Sequence, residues 1–239
     1  MFREVRILGV YHMSRFRIYT KTWIRREAEA QKKKRAGAIL RILKKTYPGA
    51  KIALRFETPI QLLVAVVLSA QCTDKKVNEV TATLFKKYRT VKDFAHANQK
   101  AFEREIRPTG FYRAKARHII ATARKIERDF GGTLPKTMTE MTTFPGIARK
   151  SANIILGNLY GVADGIAVDT HVSRLAQRFG LTKTDNPVRI EQDLMELLPK
   201  KEWLQATYYI IEHGRALCTA KKRMCESCPL NKICPSSLV

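Results

Sequence analysis

A lysine and an aspartate nineteen residues apart are the side chains whose types and positions best suit chemistry on a substrate. Lys150 follows the turn Phe-Pro-Gly-Ile-Ala at 144–148 and would lie in the first turn of the next helix. The positive end of a helix and the adjacent Arg149 disfavour a charged ammonium group, which leaves the amine able to act as a nucleophile and form a Schiff base. A solvated surface lysine is the alternative, and it is the commoner state of any single lysine.

Asp169 follows a short apolar run and precedes a helical pattern, which is the position of a helix N-cap. A helix over 150–160 advances about 15 Å. The eight residues 161–168 can span at most about 29 Å, so the chain can return Asp169 to face Lys150. A carboxylate opposite an amine could stabilise positive charge on a sugar carbon and shuttle protons. Capping alone is the other interpretation, and the more common one for a single aspartate.

Four of the five cysteines lie within the last 22 residues, and the fifth, Cys72, is far from them. Their spacing is C-x6-C-x2-C-x5-C, and the chain start lacks the apolar core of a signal peptide, so metal ligation in a reducing compartment is favoured over disulfides. A zinc site usually has two close pairs of ligands, whereas an iron–sulfur cube needs no second pair. The residues alone leave both metals open and predict a four-thiolate centre at Cys218, Cys225, Cys228 and Cys234.

The net charge of the chain is strongly positive, with 45 Lys and Arg against 21 Asp and Glu, formally +24. A surface made soluble by charge normally mixes both signs, so this excess favours binding to a polyanion, most commonly nucleic acid. The segment between the first two clustered cysteines carries three cations that could contact phosphates or simply be solvated: Lys221, Lys222 and Arg223. The longest apolar run, 60–70, is too short to span a membrane, so no membrane partner is expected.

Almost every segment from residue 36 onward has helical periodicity and strand signals are weak, so we predict an all-α fold. Thr58-Pro59 opens an apolar helix over 59–70. Amphipathic helices are predicted over 74–88 and 114–130. Thr137 and Glu140 form a capping box for a short helix that leads into the turn at 144–148.

This short helix, the turn and the helix of Lys150 predict a helix–hairpin–helix. Gly146 suits a backbone position with positive φ or a close approach. The N–H groups of the hairpin and of the helix start suit a DNA phosphate, without any base being read. An ordinary αα-turn has the same Pro-Gly signal. The predicted DNA contacts are Pro145, Gly146, Ile147, Ala148 and Arg149.

From about residue 36 to 236 the sequence resembles endonuclease III, a family of helix–hairpin–helix DNA glycosylases with an iron–sulfur cluster. The segments that carry the resemblance are LLVAVVLSAQCTDKKVN, TGFYRAKARHII, FPGIARKSAN, AVDTHVSR and HGRALCTAKKRMCESCPLNKIC. The cysteine spacing is the family's own, and the resemblance therefore implies a [4Fe–4S] cluster. It also implies two helical lobes with a DNA-binding cleft between them: a six-helix barrel lobe with the hairpin over 52–162, and an iron–sulfur cluster lobe made of 36–51 and 163–239.

The resemblance implies a bifunctional DNA glycosylase and AP lyase of base excision repair. Lys150 would be the Schiff-base nucleophile, and Asp169 would activate it and stabilise the sugar cation, once an oxidised pyrimidine is flipped out of the duplex. Strand cleavage 3′ to the site would follow by β-elimination. The partner would be double-stranded DNA with a damaged base or an abasic site, bound by a monomer.

The resemblance also places Gln71 and Phe111 at the positions that fill the gap left in the duplex. The sequence departs from the family at two points. The family usually has leucine where Phe111 stands, and its hairpin often reads Gly-x-Gly where this sequence has Ala148. The departure at Phe111 affects the side chain that fills the gap in the duplex. The departure at Ala148 affects how closely the backbone approaches a phosphate.

Three other functions are weighed against this one. The adenine-removing relative carries a glutamate where Val66 stands and lacks the lysine, and the mismatch thymine relative has a tyrosine in place of Lys150. Neither substitution is present, which favours the bifunctional enzyme. A non-catalytic iron–sulfur module that only binds DNA would need neither Lys150 nor Asp169.

Residues 1–35 are predicted to form a basic extension, with ten Lys or Arg and three Glu in the first 34 residues. Their charge would add sequence-independent binding to undamaged DNA. An Arg-rich, acid-poor start is also typical of an organelle transit peptide. A prokaryotic source would place the protein in the cytoplasm with the nucleoid, and an organelle or the nucleus is the alternative location.

Overall fold

A computed structural model describes residues 19–239, and within this range the regular elements are helical. The predicted all-α class is confirmed. The β-type pairing recorded here is a single isolated bridge between Cys218 and Arg223. Three short 3-10 helices cover Thr22–Arg26, Arg107–Thr109 and Lys200–Glu202. The α-helices are α1 Glu29–Thr46, α2 Pro59–Leu68, α3 Asp74–Lys87, α4 Val91–Ala95, α5 Gln99–Ile106, α6 Tyr112–Phe130, α7 Met138–Met141, α8 Arg149–Tyr160, α9 Thr170–Arg178, α10 Pro187–Leu197 and α11 Trp203–Ala216.

The described chain divides into two compact units. The first, here called the hairpin unit, consists of 51–167 and 200–208. The second, here called the cysteine unit, consists of 19–50, 168–199 and 209–239. The hairpin unit contains seven α-helices, α2 to α8, of which α4 has five residues and α7 only four. Most of the predicted basic extension, residues 1–18, lies outside the described residues.

The hairpin unit is built around α2, in which every residue from 60 to 68 is buried. Its start is fixed as predicted, because Thr58 Oγ1 accepts a hydrogen bond from the Gln61 amide and Pro59 occupies the first helical position. The helix ends at Leu68, two residues earlier than the predicted 59–70, because the chain turns at Gln71. In residues 19–239 we find no helix that is both long and apolar enough to cross a membrane.

Helix α6 backs the hairpin unit and packs along α4, α5 and α2. Its apolar face is buried from Ala116 to Ile126, and it ends at Gly131 in a left-handed conformation. An aromatic cluster of Tyr88, Phe94 and Phe102 fills the neighbouring core, with ring centroids 5.2–6.1 Å apart.

The cysteine unit packs α1 against α10 and α10 against α9. Arg35 on α1 is 8% exposed and forms a two-bond ion pair with Glu27, at 2.6 and 2.7 Å. It also donates to the carbonyl of Phe179. Because a buried guanidinium needs such partners, residues from Glu27 onward belong to the folded unit, whereas the sequence analysis placed the extension boundary at residue 35.

The segment 200–208 differs from the predicted lobe boundaries, which assigned all of 163–239 to the cysteine lobe. It groups with the hairpin unit because α11 begins against α8. A Cβ atom added at Gly157 would lie 2.6 Å from Leu204 Cδ1, and Asn158 Nδ2 lies 2.6 Å from the Tyr208 hydroxyl. Residues 163–167 also belong to the hairpin unit.

Candidate functional site

The hairpin consists of α7, the turn 142–148 and α8. Thr137 caps α7 by accepting from the Glu140 amide at 3.3 Å, and its hydroxyl donates to the Glu140 carboxylate at 2.5 Å. Phe144 is buried and lies edge-on to Phe130, with ring centroids 5.6 Å apart. The predicted helix–hairpin–helix is therefore present, and its turn is anchored by an aromatic side chain on the protein side.

The hairpin backbone lies directly against α6. Gly146 has φ +79°, and a Cβ there would lie 2.7 Å from His118 Nδ1, so only glycine fits both the conformation and the space. Thr122 Oγ1 donates to the Pro145 carbonyl at 3.3 Å. Ile147 is 4% exposed, so its side chain belongs to the core and only its backbone can face a ligand. Gly146 and Ala148 are exposed.

Helix α8 begins with backbone amides that no side chain caps. Its N-cap is Ala148, which forms no side-chain cap hydrogen bond. The N–H groups of the first turn therefore point outward and, with the helix dipole, suit an anion such as a DNA phosphate. Alanine at this position still allows this arrangement, because the backbone there is extended, with φ −88°, and does not need glycine.

Lys150 is exposed in the first turn of α8, next to Arg149. The Arg149 guanidinium contacts Asp164, with Nη2 2.8 Å from the main-chain carbonyl oxygen and Nη1 3.4 Å from the carboxylate. This ties the segment after α8 back to the start of α8. Arg149 was predicted as a DNA contact, and in the structure its side chain also contacts Asp164.

Asp169 is the N-cap of α9, in the cysteine unit. Its Oδ1 accepts a hydrogen bond from the Val172 amide at 2.8 Å. The predicted capping role is therefore confirmed. The cap uses one of the two carboxylate oxygens, and the side chain is only half-buried. The geometry leaves the carboxylate able to combine capping with a second role.

Gln71 and Phe111 both lie at turns of the hairpin unit, before α3 and α6 respectively. Both have positive φ, 53° at Gln71 and 47° at Phe111, and both side chains are exposed. Phe111 is 64% exposed, the largest exposure recorded for a large apolar residue in 19–239. A phenyl ring held in water on an unfavourable backbone suits a group that inserts into a ligand.

The four clustered cysteine thiols line one cavity in the cysteine unit. Burial raises the pKa of Cys234 to about 12 and also raises the pKa of Cys228, and a bound metal would favour their thiolate forms. In the described part of the chain, no three His, Cys, Asp or Glu side chains meet at one point as ligands of a single ion. Four cysteines that line one cavity match the ligand number of an iron–sulfur cluster.

Two buried arginines of α9 hold the loop that starts at Cys218. Arg178 Nη1 donates to the Cys218 sulfur at 3.1 Å and to the Thr219 carbonyl at 2.8 Å. Arg174 Nη2 donates to the carbonyls of Gly214 and Cys218 at 3.1 and 3.2 Å. Neither arginine was predicted as a site residue, although the two lie four residues apart on one face of a predicted helix, which is a detectable signal.

His213 contacts Cys228, one of the four clustered cysteines. Its Nε2 lies 3.6 Å from the Cys228 sulfur, and its Nδ1 lies 3.1 Å from the Tyr47 hydroxyl. Burial lowers the pKa of His213 to about 4, so the ring is neutral at neutral pH. His213 opens one of the segments that carry the family resemblance, but it was not predicted as a site residue. Its contact with Tyr47 joins segments 166 residues apart.

The cationic loop 221–223 has two exposed lysines and one arginine with a structural role. Lys221 and Lys222 are exposed, and the Thr219 hydroxyl closes the loop by bonding Lys222 at both its amide and its carbonyl. Arg223 Nη1 donates to the Ser236 carbonyl at 2.9 Å. All three residues were predicted to contact DNA. In the structure the Arg223 side chain instead holds the C-terminal segment, whereas the two lysines face solvent.

Comparison with known proteins agrees with this fold. Residues 64–200 match the HhH-GPD superfamily of base excision DNA repair proteins. Endonuclease III of Synechocystis sp. is 50% identical over 208 residues, covering 87% of this chain and 95% of that protein. Two solved structures, of a non-covalent endonuclease III–DNA complex and of a trapped endonuclease III–DNA covalent intermediate, each superpose with a TM-score of 0.81. Each is 39% identical and covers 86% of this chain and 96% of the other.

An all-helical protein with a helix–hairpin–helix and a cavity lined by four thiols thus falls into a defined class of DNA repair proteins. The sequence match covers more than half of the chain and spans the hairpin, Lys150 and Asp169. The chain belongs to the endonuclease III family of the HhH-GPD superfamily.

Proposed function

We propose that this protein removes oxidised pyrimidines from double-stranded DNA through a Schiff base on Lys150 and then cleaves the strand 3′ to the site. The class of activity, a DNA glycosylase and AP lyase of base excision repair, follows from its family membership. The observation that carries the proposal is the exposed amine of Lys150 in the first turn of α8, directly after the hairpin. A solved relative was trapped as a covalent intermediate with DNA, which supports a covalent mechanism here.

The hairpin fixes the DNA before chemistry begins. The uncapped amides of α8 and the Gly146 backbone bind a phosphate, and this contact positions the duplex without reading its sequence. The extruded nucleotide then lies near Lys150. Gln71 and Phe111 fill the space that the flipped nucleotide leaves, which offsets part of the free energy lost by unstacking.

The Lys150 amine attacks C1′ of the damaged nucleotide, and the bond from C1′ to the base breaks. Asp169 accepts the proton that the amine loses and stabilises the positive charge on the sugar. The departing base takes up a proton from solvent. The C1′–O4′ bond then breaks, Asp169 returns its proton to O4′, and the ring-opened imine forms on Lys150. Loss of a proton from C2′ of this imine breaks the C3′–oxygen bond, and the 3′ phosphate leaves with the bonding electrons. Water hydrolyses the imine and frees Lys150.

The cysteine unit holds a [4Fe–4S] cluster at Cys218, Cys225, Cys228 and Cys234. Four cysteines with the spacing C-x6-C-x2-C-x5-C that line one cavity support this assignment. When bound, the cluster supplies positive charge for the thiolates and fixes the segment that carries Lys221 and Lys222. Arg178 and His213 orient two of the thiols.

The substrate class is tested by incubating the protein with matched duplexes that contain thymine glycol, 8-oxoguanine or a G·T mismatch. We expect release of the base and strand cleavage on the thymine glycol duplex, with much slower reaction on the other two. Base release without cleavage from the G·T duplex would instead indicate a monofunctional mismatch enzyme. Binding of all three without any product would indicate a module that only binds DNA.

A further inference from the structure

The turns of Gln71 and Phe111 are the only places in residues 19–239 where a residue other than glycine has positive φ. This left-handed conformation is unfavourable by about 1–2 kcal/mol for a residue with a Cβ atom. It persists only where surrounding contacts enforce it. The side chains of Gln71 and Phe111 are themselves exposed. The enforcing contacts must therefore act on the backbone around each turn.

One side chain is hydrogen-bonded to the segment before each of these turns. Lys115 Nζ donates to the Leu68 carbonyl at 2.7 Å and to the Thr109 carbonyl at 2.8 Å. Leu68 ends α2, three residues before Gln71, and Thr109 ends a 3-10 helix, two residues before Phe111. A single ammonium group thus connects the backbones that lead into both turns.

Lys115 is also tied to the second turn through its own backbone. Its amide donates to the Phe111 carbonyl at 3.0 Å, which is the first hydrogen bond of α6. The Thr109 hydroxyl donates to the Ile106 carbonyl at 2.8 Å, so the carbonyl that Lys115 binds belongs to a rigid segment. The turn of Phe111 is therefore held from both sides.

The surroundings of Lys115 argue against a role as packing alone. The residue is only 4% exposed, and burial lowers its pKa, with the Cys72 thiol acting in the opposite direction. Both of its recorded hydrogen bonds are to main-chain carbonyls. Burying an ammonium is unfavourable unless its hydrogen bonds are well made, and an apolar side chain would fill the same space at less cost.

We propose that Lys115 is a positioning residue for base flipping, which holds the turns of Gln71 and Phe111 at a fixed separation so that both side chains enter the duplex together. Lys115 itself is buried and contacts no DNA. This inference rests on the proposed function, because it concerns how the enzyme fills the gap left by the flipped nucleotide.

The test compares Lys115→Met with Lys125→Met, made in the full-length protein. Both changes remove one positive charge from α6, but only the first removes the bonds to Leu68 and Thr109. Each is also made in a Gln71→Ala/Phe111→Ala background. The readouts are single-turnover release of thymine glycol, the melting temperature, and the fluorescence of 2-aminopurine placed opposite the lesion, which reports the disturbed stacking that insertion causes.

Lys115→Met should slow base release by about 10- to 100-fold, because small misplacements of positioning groups have effects of this size. It should also abolish most of the fluorescence change. Lys125→Met should alter neither. In the Gln71→Ala/Phe111→Ala background, Lys115→Met should change the rate by no more than about 2-fold, because it can act only through side chains that are already absent.

An equal loss from Lys115→Met in both backgrounds would show that Lys115 supports the fold in general, and unchanged release in the intact background would show that it is not needed. If Lys115→Met fails to fold, Lys115→Gln is used instead, because it keeps an amide donor in the same space. It is measured in both backgrounds, and the same outcomes support or contradict the proposal. The proposed function is judged separately, by whether the unaltered protein releases thymine glycol at all.

Discussion

Lys150 and Asp169 each lie at the start of a helix, where the backbone rather than the side chain fixes their location. Lys150 follows an uncapped N-terminus, and Asp169 is itself the cap of α9. A helix start holds a reactive group on a rigid backbone. For the lysine it also provides a cationic environment next to a phosphate site. The two residues therefore respond differently to substitution.

Replacing Asp169 with asparagine separates catalysis from capping. Asparagine caps helices about as well as aspartate, so the melting temperature should change little. Base release should fall by about 10² or more, because the charge that accepts a proton and stabilises the sugar cation is gone. Thermal unfolding and single-turnover kinetics of the same sample measure the two effects. A variant that melts earlier yet keeps its rate per folded molecule would limit Asp169 to the capping role.

At the scale of elements, the hairpin depends on α6 as a support. Gly146→Ala should be destabilising by about 1–3 kcal/mol from its backbone conformation alone, with a further loss from the contact with His118. It should also weaken binding to undamaged duplex, because the phosphate site is displaced. Chemical denaturation and fluorescence anisotropy measure these effects.

Gly161→Ala is the matched control for this change. Gly161, at the other end of α8, has φ +67°, and a Cβ there meets no atom within 4 Å. Gly161→Ala should lose about 1–3 kcal/mol of stability from its backbone conformation. It should keep full affinity for DNA. Unaltered DNA affinity in Gly146→Ala would mean that the hairpin is not a phosphate contact.

The cysteine-lined cavity is a second element whose content can be measured. The purified protein should be brown and contain iron and sulfide rather than zinc. Cys228→Ser should lose the visible absorption and much of the affinity for DNA, because the segment 218–234 loses its anchor. Cys72→Ser should keep both, since Cys72 lies in the hairpin unit, outside the cavity. A colourless protein with one zinc per chain, purified without air, would contradict the cluster assignment.

Local signals in the sequence were sufficient for the helix starts, but not for contacts between distant segments. Thr58, Thr137 and Asp169 were recognised as caps because a cap depends on residues three positions away. The roles of Arg35 and Lys115 were missed, since Arg35 bonds to a carbonyl 144 residues away and Lys115 to one 47 residues away. The site roles of Gln71 and Phe111 came from the family resemblance alone, whereas those of Lys150 and Asp169 were first argued from residue type and position and then assigned by the resemblance. All four roles stay predictions.

At the scale of the whole molecule, we expect the charge of +24 to provide binding to undamaged DNA during the search for lesions. The structure limits which part of the basic start can be removed to test this. Deleting residues 1–34 would remove Glu27, the partner of the buried Arg35. A loss of DNA affinity in that variant would not be distinguished from unfolding of α1. Deleting residues 1–18 avoids that problem.

The deletion of 1–18 removes four arginines, Arg3, Arg6, Arg15 and Arg17. It should weaken binding to undamaged duplex and flatten the slope of log affinity against log salt by up to about 3.6, since each phosphate contact contributes about 0.9. Single-turnover release of a damaged base at saturating enzyme should stay the same. The matched control keeps the segment and replaces these arginines with glutamine. An unchanged slope in both would exclude this segment from DNA binding.

The central claim is that Lys150 forms the covalent bond with DNA. The most direct measurement is borohydride reduction during reaction with a thymine glycol duplex, followed by mass spectrometry of the linked peptide. The protein and a Lys136→Gln control should both yield an adduct on Lys150, while Lys150→Gln should bind the duplex and yield none. An adduct on another residue, or equal trapping by Lys150→Gln, would contradict the account.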